Sequence, residues 1–398
     1  LNIDQALTLL GGLSPQQFMR RHWQRKPLLI RQAIPDFKPS LSVANIRQLV
    51  RREEVESRLI WRDGATWNMK SGPFSRLPAA SKPGWTLLAQ SVDLHDDATA
   101  QLLQRFRFIS DARLDDAMIS IASDGGGVGP HFDSYDVFLL QAHGKRRWRV
   151  SQQKDLSLLA GLPLKILESF QPEEEYVLEP GDMLYLPPHA AHDGVAVGGD
   201  CMTISIGFRA PTQATLACGM LEAANDQIMA NLGDLGGLYA NPVIPGPALH
   251  ATYKDAGTLA SAQPAELPPA LIAASIEAVS RLRFTDALAA RFLGQWLTEP
   301  PGNAYFDPAE DLPDLTTGIP TDGTLSLDRC TRLMYWNREL YINGEVAQVQ
   351  ATAALRQLAD QRQMPCSAPA VRKLGTAERQ VLMQWLEEGW LHYAAPDR

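Results

Sequence analysis

The chain has 398 residues, enough for two or three domains. Hydrophobic residues make up 45% and charged residues 21%, which excludes an intrinsically disordered chain and predicts a packed core. The net charge of −8 and pI near 5.5 argue against broad non-specific nucleic-acid binding, which needs a basic surface, and suit a basic protein partner.

Several functional classes drop out at once. Cys201, Cys218, Cys330 and Cys366 lack zinc-type spacing and predict reduced thiols in a cytoplasmic protein. The segment Leu1-Asn2-Ile3-Asp4-Gln5 lacks the basic-then-apolar pattern of a signal peptide. No apolar run approaches membrane-spanning length, so no membrane association is expected.

In chain order, Ser14-Pro15 predicts a capped helix running to about Trp23, followed by a strand at Leu28-Leu29-Ile30-Arg31. Leu41 to Arg51 reads as a second helix. Residues 116–210 are short strands punctuated by Gly, Pro and Asp turns, the pattern of a β-barrel. Residues 1–211 are therefore expected to form a double-stranded β-helix with helices packed outside it. The alanine- and methionine-rich stretch from Thr212 to Asn231 and the segment Pro268–Leu297 read as helical, giving a helical subdomain over 212–297. In the remainder, 298–398, Asn343-Gly344 marks a type I′ hairpin. Helices at about Val349–Gln361 and Ala377–Glu388 complete a winged-helix-like domain in an α+β chain. No dense basic face accompanies it, so direct nucleic-acid binding is not expected.

The most informative residues are Gly129-Pro130-His131-Phe132-Asp133-Ser134-Tyr135-Asp136 and Pro187-Pro188-His189-Ala190-Ala191-His192. Two imidazoles and one carboxylate on one side of a metal leave the other positions open, which suits non-haem Fe(II). In a strand, His131, Asp133 and Tyr135 would share one face, with Phe132 and Ser134 on the other. His189 and His143 compete with His192 for the third ligand. His189 directly follows two prolines, and His143 sits in what reads as a hairpin tip, Ala142-His143-Gly144-Lys145. In Arg146-Arg147-Trp148-Arg149-Val150, alternation turns Arg146 inward with Trp148 and Val150 and leaves Arg147 and Arg149 solvated. An inward arginine needs an anionic partner.

The chain resembles the JmjC-type cupin 2-oxoglutarate oxygenases that hydroxylate ribosomal proteins, and within them the bacterial arginine hydroxylases. The resemblance rests on the segments 21–28, Asp116-Ala117-Met118-Ile119-Ser120, Gly125 through Asp136, 144–150, Leu178 through Pro188, and Ile206-Gly207-Phe208-Arg209-Ala210-Pro211. It implies His131, Asp133 and His192 as Fe(II) ligands, with 2-oxoglutarate and dioxygen as cosubstrates and Arg146 holding the distal carboxylate of 2-oxoglutarate. It implies Asp116, Met118, Tyr135 and Ser205 around a target guanidinium on a basic large-subunit ribosomal protein, and a homodimer formed through the helical subdomain. The family's small hydroxyl near the cosubstrate aligns with Ala122, with Ser123 beside it. The alternatives are a related oxygenase acting on histidine or methyl-lysine and a non-oxygenase metal cupin.

Overall fold

The computed structural model describes residues 2–64, 66–310 and 312–395; the outermost residues of the expected domain divisions, Leu1 and 396–398, lie outside these. The chain divides into two compact units, Leu1–Ala210 and Pro211–Arg398.

In the first unit the described residues form one antiparallel sheet of nine strands. These are β1 (Leu28–Ile30), β2 (Ser57–Asp63), β3 (Thr66–Ser71), β4 (Trp85–Ala89), β5 (Leu114–Ala122), β6 (Val137–Ser151), β7 (Glu174–Leu178), β8 (Met183–Leu186) and β9 (Ala191–Phe208). Their order is β1-β8-β6-β9-β5-β4-β2-β3, with β7 paired to the far end of β6. The long strands β6 and β9 run the length of the sheet side by side. Strand alternation on β6 separates two cores. Phe138 and Leu140 face an outer cluster, while Val137, Leu139, Trp148 and Val150 face an inner one with Leu184 and Leu186.

Three helices accompany this sheet: α1 (Pro15–Arg21), α2 (Val43–Leu49) and α3 (Asp97–Gln104). Ser14 and Gln17 form the capping box that starts α1. Its Phe18 is fully buried against Phe138 and Tyr185, with ring centroids 5.3 and 4.9 Å away. Burial of such a ring contributes about 2 kcal/mol. Tyr185 donates from its hydroxyl to the fully buried Asp136 carboxylate at 2.6 Å, and Gln24 donates to the other oxygen at 3.2 Å. Asp136 closes the segment that carries His131 and Asp133, so this contact ties the site to the outer core.

Two local expectations fail. Residues 131–135 are not a strand: only His131 pairs, through an isolated bridge to His192, and the backbone then bends. Ala142–Lys145 is not a hairpin tip. It is a bulge inside the continuous β6, with the register against β9 shifting on either side of His143. Gly144 sits there at φ +62°, and an added Cβ would lie 2.1 Å from the Asp200 carbonyl. A turn-like sequence thus serves to kink a strand, and His143 points to solvent.

The second unit contains α4 (Gln213–Asn231), α5 (Pro269–Ser280), α6 (Asp286–Thr298), β10 (Thr324–Leu327), β11 (Leu333–Trp336), β12 (Glu339–Ile342), β13 (Glu345–Val346), α7 (Ala353–Gln361), β14 (Gln363–Pro365), α8 (Thr376–Glu387) and β15 (Leu391–Ala394). The helical stretch expected over Pro268–Leu297 is two helices, because Thr285 caps a fresh start by accepting from the Leu288 N–H. Helix α6 packs on the β11–β13 sheet, where Arg291 pairs with Glu339 at 2.9 Å. Asn343-Gly344 makes the β12–β13 turn with φ of 47° and 88°. No described helix is long and apolar enough to cross a membrane.

Candidate metal and cosubstrate site

The site forms where β9 begins beside the bent segment after Pro130. His131 and His192 exchange backbone hydrogen bonds, each N–H donating to the other's carbonyl at 2.9 and 2.8 Å. The two imidazoles are thereby held with ring centroids 4.2 Å apart. Gly129, at φ +82°, allows the approach: an added Cβ would lie 2.6 Å from the Trp67 ring.

Both rings are fixed in the same tautomer. The Nδ1 of His131 lies 2.9 Å from the Gly129 carbonyl, and the Nδ1 of His192 lies 2.9 Å from the Ala190 carbonyl. A carbonyl only accepts, so each Nδ1 carries a hydrogen, and in a neutral ring the lone pair then sits on Nε2. That is the arrangement found in metal-ligating histidines. Asp133 Oδ2 stands 3.7 Å from His192 Nε2, and donor atoms of His131, Asp133 and His192 all lie within 4.8 Å of one another. Burial, then the neighbouring His131, lowers the His192 pKa to about 4, so this ring is neutral at neutral pH. His189 stays out of the cluster. Its backbone N–H, at a φ of 65°, donates to the Asp133 carbonyl at 2.7 Å, and its ring packs on Phe132.

The cluster opens into a cavity of about 260 Å³ that Arg146, Met118, Tyr135 and Ser205 also line. Phe132 and Ser134 line it too, since the bend replaces strict alternation. Arg146 is 3% exposed, its guanidinium lies 5.6 Å from the Trp148 ring, and its Nε lies 3.4 Å from Cys201 Sγ. Its Nη2 is buried without a hydrogen-bond partner, as is Thr86 Oγ1 in the same cavity. An orphaned buried guanidinium nitrogen fits an anionic group that enters the pocket. Arg149, expected to be solvated, instead pairs with the buried Asp193 at 2.5 Å.

Asp116, expected beside Met118, Tyr135 and Ser205, is not among the residues that line the cavity but bonds to Gln90, which is. Its Oδ2 accepts from Gln90 Nε2 at 2.7 Å, from the Ser91 N–H at 2.9 Å and from Ser91 Oγ at 3.1 Å, leaving Oδ1 without a partner among the described residues. Ser91 adopts φ +50°, ψ +44°, a conformation that costs about 1–2 kcal/mol and aims both donors at one oxygen. Gln90, Arg58 and Thr86 also line the cavity, and none of them stands out in the sequence as a site residue. The alternation Thr86-Leu87-Leu88 on an apolar strand was the available signal for Thr86.

A double-stranded β-helix carrying a His-x-Asp…His cluster defines a JmjC-type cupin. Residues 101–216 match the JmjC domain family, and residues 281–392 match the ROXA-like winged helix family. The Escherichia coli ribosomal protein uL16 3-hydroxylase is 37% identical over 234 residues, covering 58% of this chain and 61% of that protein. A probable ribosomal oxygenase of Haemophilus influenzae is 36% identical over 214 residues, 52% of each chain. The aligned regions thus span less than two thirds of these two curated relatives. The structure of the Escherichia coli ribosomal oxygenase YcfD matches with a TM-score of 0.76 at 27% identity, covering 96% of this chain and 98% of that one. YcfD in complex with cobalt and 2-oxoglutarate matches with a TM-score of 0.76 at 26% identity, covering 95% and 97%. Residues 101–216 thus carry a JmjC domain, and the chain is similar to these ribosomal oxygenases.

Beneath β5, Asp93 accepts from the Ala117 N–H at 2.8 Å, and burial followed by the charge of Asp116 pushes its carboxyl up to about 7. A carboxyl raised on folding contributes its stability below about pH 4 and loses it as pH rises through 7. Asp93→Asn, which keeps the acceptor oxygen, should therefore gain stability over the parent as pH climbs from 4 to 7, by at most about 1.4 kcal/mol per pH unit. Urea denaturation at stepped pH measures this, and parallel curves for the two proteins would contradict it.

Proposed function

We propose that this protein is an Fe(II)- and 2-oxoglutarate-dependent oxygenase that hydroxylates an arginine side chain of a basic large-subunit ribosomal protein. The observation that carries the reading is the pair of imidazoles with free Nε2 atoms beside Asp133, above a buried arginine that lacks an anion. His131, Asp133 and His192 would hold the metal on one side, and Arg146 would hold the distal carboxylate of 2-oxoglutarate. When bound, metal and cosubstrate supply the oxidising power for inserting oxygen from dioxygen into a C–H bond.

The chain's own residues do the binding and orienting. The Nδ1 hydrogen bonds fix the ring planes, and the cavity's apolar wall of Val137, Leu139 and Trp148 limits water around the reacting centre. Asp116 Oδ1 would accept from the target guanidinium, with Met118, Tyr135 and Ser205 enclosing its stem. Tyr135, 39% exposed, stands at the mouth where a peptide side chain enters. Burial raises its hydroxyl pKa, so the ring meets the cation as a neutral phenol. No residue need act as a general base for C–H cleavage.

The test is mass spectrometry of large-subunit proteins incubated with the protein, Fe(II) and 2-oxoglutarate. A gain of about 16 Da on one arginine is expected, because one oxygen atom is inserted. Asp116→Ala should raise the KM for the peptide about ten- to a hundredfold, the worth of hydrogen bonds between charged groups, while metal binding persists. Oxidation of a histidine or methyl-lysine instead would reject the arginine assignment, and no 2-oxoglutarate turnover with any ribosomal protein would reject the oxygenase reading.

The acting form is a homodimer in this reading. None of the residues of α5 is buried, although Leu271, Ile272, Ile276 and Val279 are apolar and 40–68% exposed. A second copy would cover that face. Sedimentation velocity should show a dimer that Ile276→Asp with Val279→Asp converts to monomer; a monomeric parent would contradict the assignment.

A further inference from the structure

We propose that Gln90 is a positioning residue for the target cation, acting through Asp116, whose Oδ2 it fixes while Gly207 keeps the Oδ1 side open. This rests on the arginine reading above and adds residues to it. Three donors meet on Asp116 Oδ2, and all come from two consecutive residues just past the end of β4. They are Gln90 Nε2 at 2.7 Å, the Ser91 N–H at 2.9 Å and Ser91 Oγ at 3.1 Å. The Gln90 N–H donates to the Glu56 carbonyl at 2.9 Å, which anchors the pair beside the start of β2. An amide can present its oxygen or its nitrogen, and only the nitrogen can donate to a carboxylate. Arg58 settles the choice. Its Nη2 lies 3.4 Å from Gln90 Oε1 and 3.2 Å from Glu56 Oε1. A guanidinium only donates, so the amide oxygen faces Arg58 and the NH2 group faces Asp116. Gln90 also stands between Arg58 and Asp116, so the protein's own guanidinium does not take the carboxylate.

On the other side β9 supplies bare backbone. Asp116 and Met118 share one face of β5, and Ser205 and Gly207 share one face of β9. Met118 lies opposite Ser205, and both line the cavity. A Cβ at position 207 would lie 3.3 Å from Asp116 Oδ1, the oxygen without a partner among the described residues. Gly207 has no positive φ that would demand glycine, so what the position supplies is the missing side chain. Burial, then the neighbouring Asp115, favours the neutral form of Asp116, and the Gln90 and Ser91 donors oppose both. The donors on Oδ2 therefore hold the group as an anion in one orientation, with the other oxygen left for a cation from outside.

The test is a double-mutant cycle on the Fe(II)-loaded full chain. Its probe is a peptide around the arginine that gains oxygen in the assay above. Gln90→Met keeps the length of the side chain and deletes its donor. It should raise the KM for the peptide about three- to tenfold, the worth of one hydrogen bond, with the loss in KM and not in kcat. In an Asp116→Ala background the same change should raise KM no further, because a positioning residue then has nothing to position. Gly207→Ala leaves the amide in place and crowds Oδ1, so it should raise KM as well. A parent-like KM in Gln90→Met, or an equal factor lost with and without Asp116, would overturn the role of Gln90. A parent-like KM in Gly207→Ala would overturn that of Gly207. A parent-like KM in Asp116→Ala, or oxygen gained by no arginine, would overturn the arginine reading, and this proposal with it.

Discussion

The site depends on one narrow pair of backbone hydrogen bonds. The reciprocal N–H to carbonyl contacts between His131 and His192 join two segments sixty-one residues apart in sequence, at the point where β9 begins. They form the only pairing that His131 makes in the sheet among the described residues, and everything placed around the cluster follows from it. With the backbones clamped, each ring is turned by a carbonyl two residues earlier, and the two Nε2 lone pairs are left to converge beside Asp133. Two imidazoles held this closely, with one carboxylate, make a poor structural device and a good cation site. Burial of His192 disfavours its protonated form, and a metal replaces the missing positive charge.

The surrounding fold serves that pair. Strands β6 and β9 lie side by side over their whole length, so Arg146 and Trp148 on one reach the same interior as His192 on the other. The outer core holds the approach in place through the Tyr185–Asp136 hydrogen bond, which ends the His131–Asp136 segment. Hydrophobic packing supplies the stability, and the few buried polar groups set the position of the chemistry. The strained turn at Ser91 has the same logic. It saturates one oxygen of Asp116 and leaves the other available.

Much of this was legible in the residues. The His-x-Asp…His pattern, the inward turn of Arg146 and the Asn-Gly hairpin are local features. Each follows from a short spacing or from alternation within one strand, and the structure brings His131, Asp133 and His192 together and buries Arg146. What escaped depends on register between strands. Alternation sets Thr86 apart from Leu87, but that it faces the cavity opposite Ala122 follows from the pairing of β4 with β5. Arg149 looked solvated because its partner, Asp193, lies on β9, forty-four residues on. Ala142–Lys145 misled because a glycine with positive φ serves equally well in a turn and in a bulge. The expected strand at 131–135 failed for a related reason: alternation was assumed where the backbone had to bend to form the site.

The central claim is that His131, Asp133 and His192 bind one divalent ion jointly. Calorimetric titration of the metal-free chain with Co(II), repeated on His192→Ala, tests it most directly. The account predicts one tight site per chain in the parent, and none of comparable affinity in the variant. A parent that binds no ion, or a variant that binds as tightly as the parent, would contradict it.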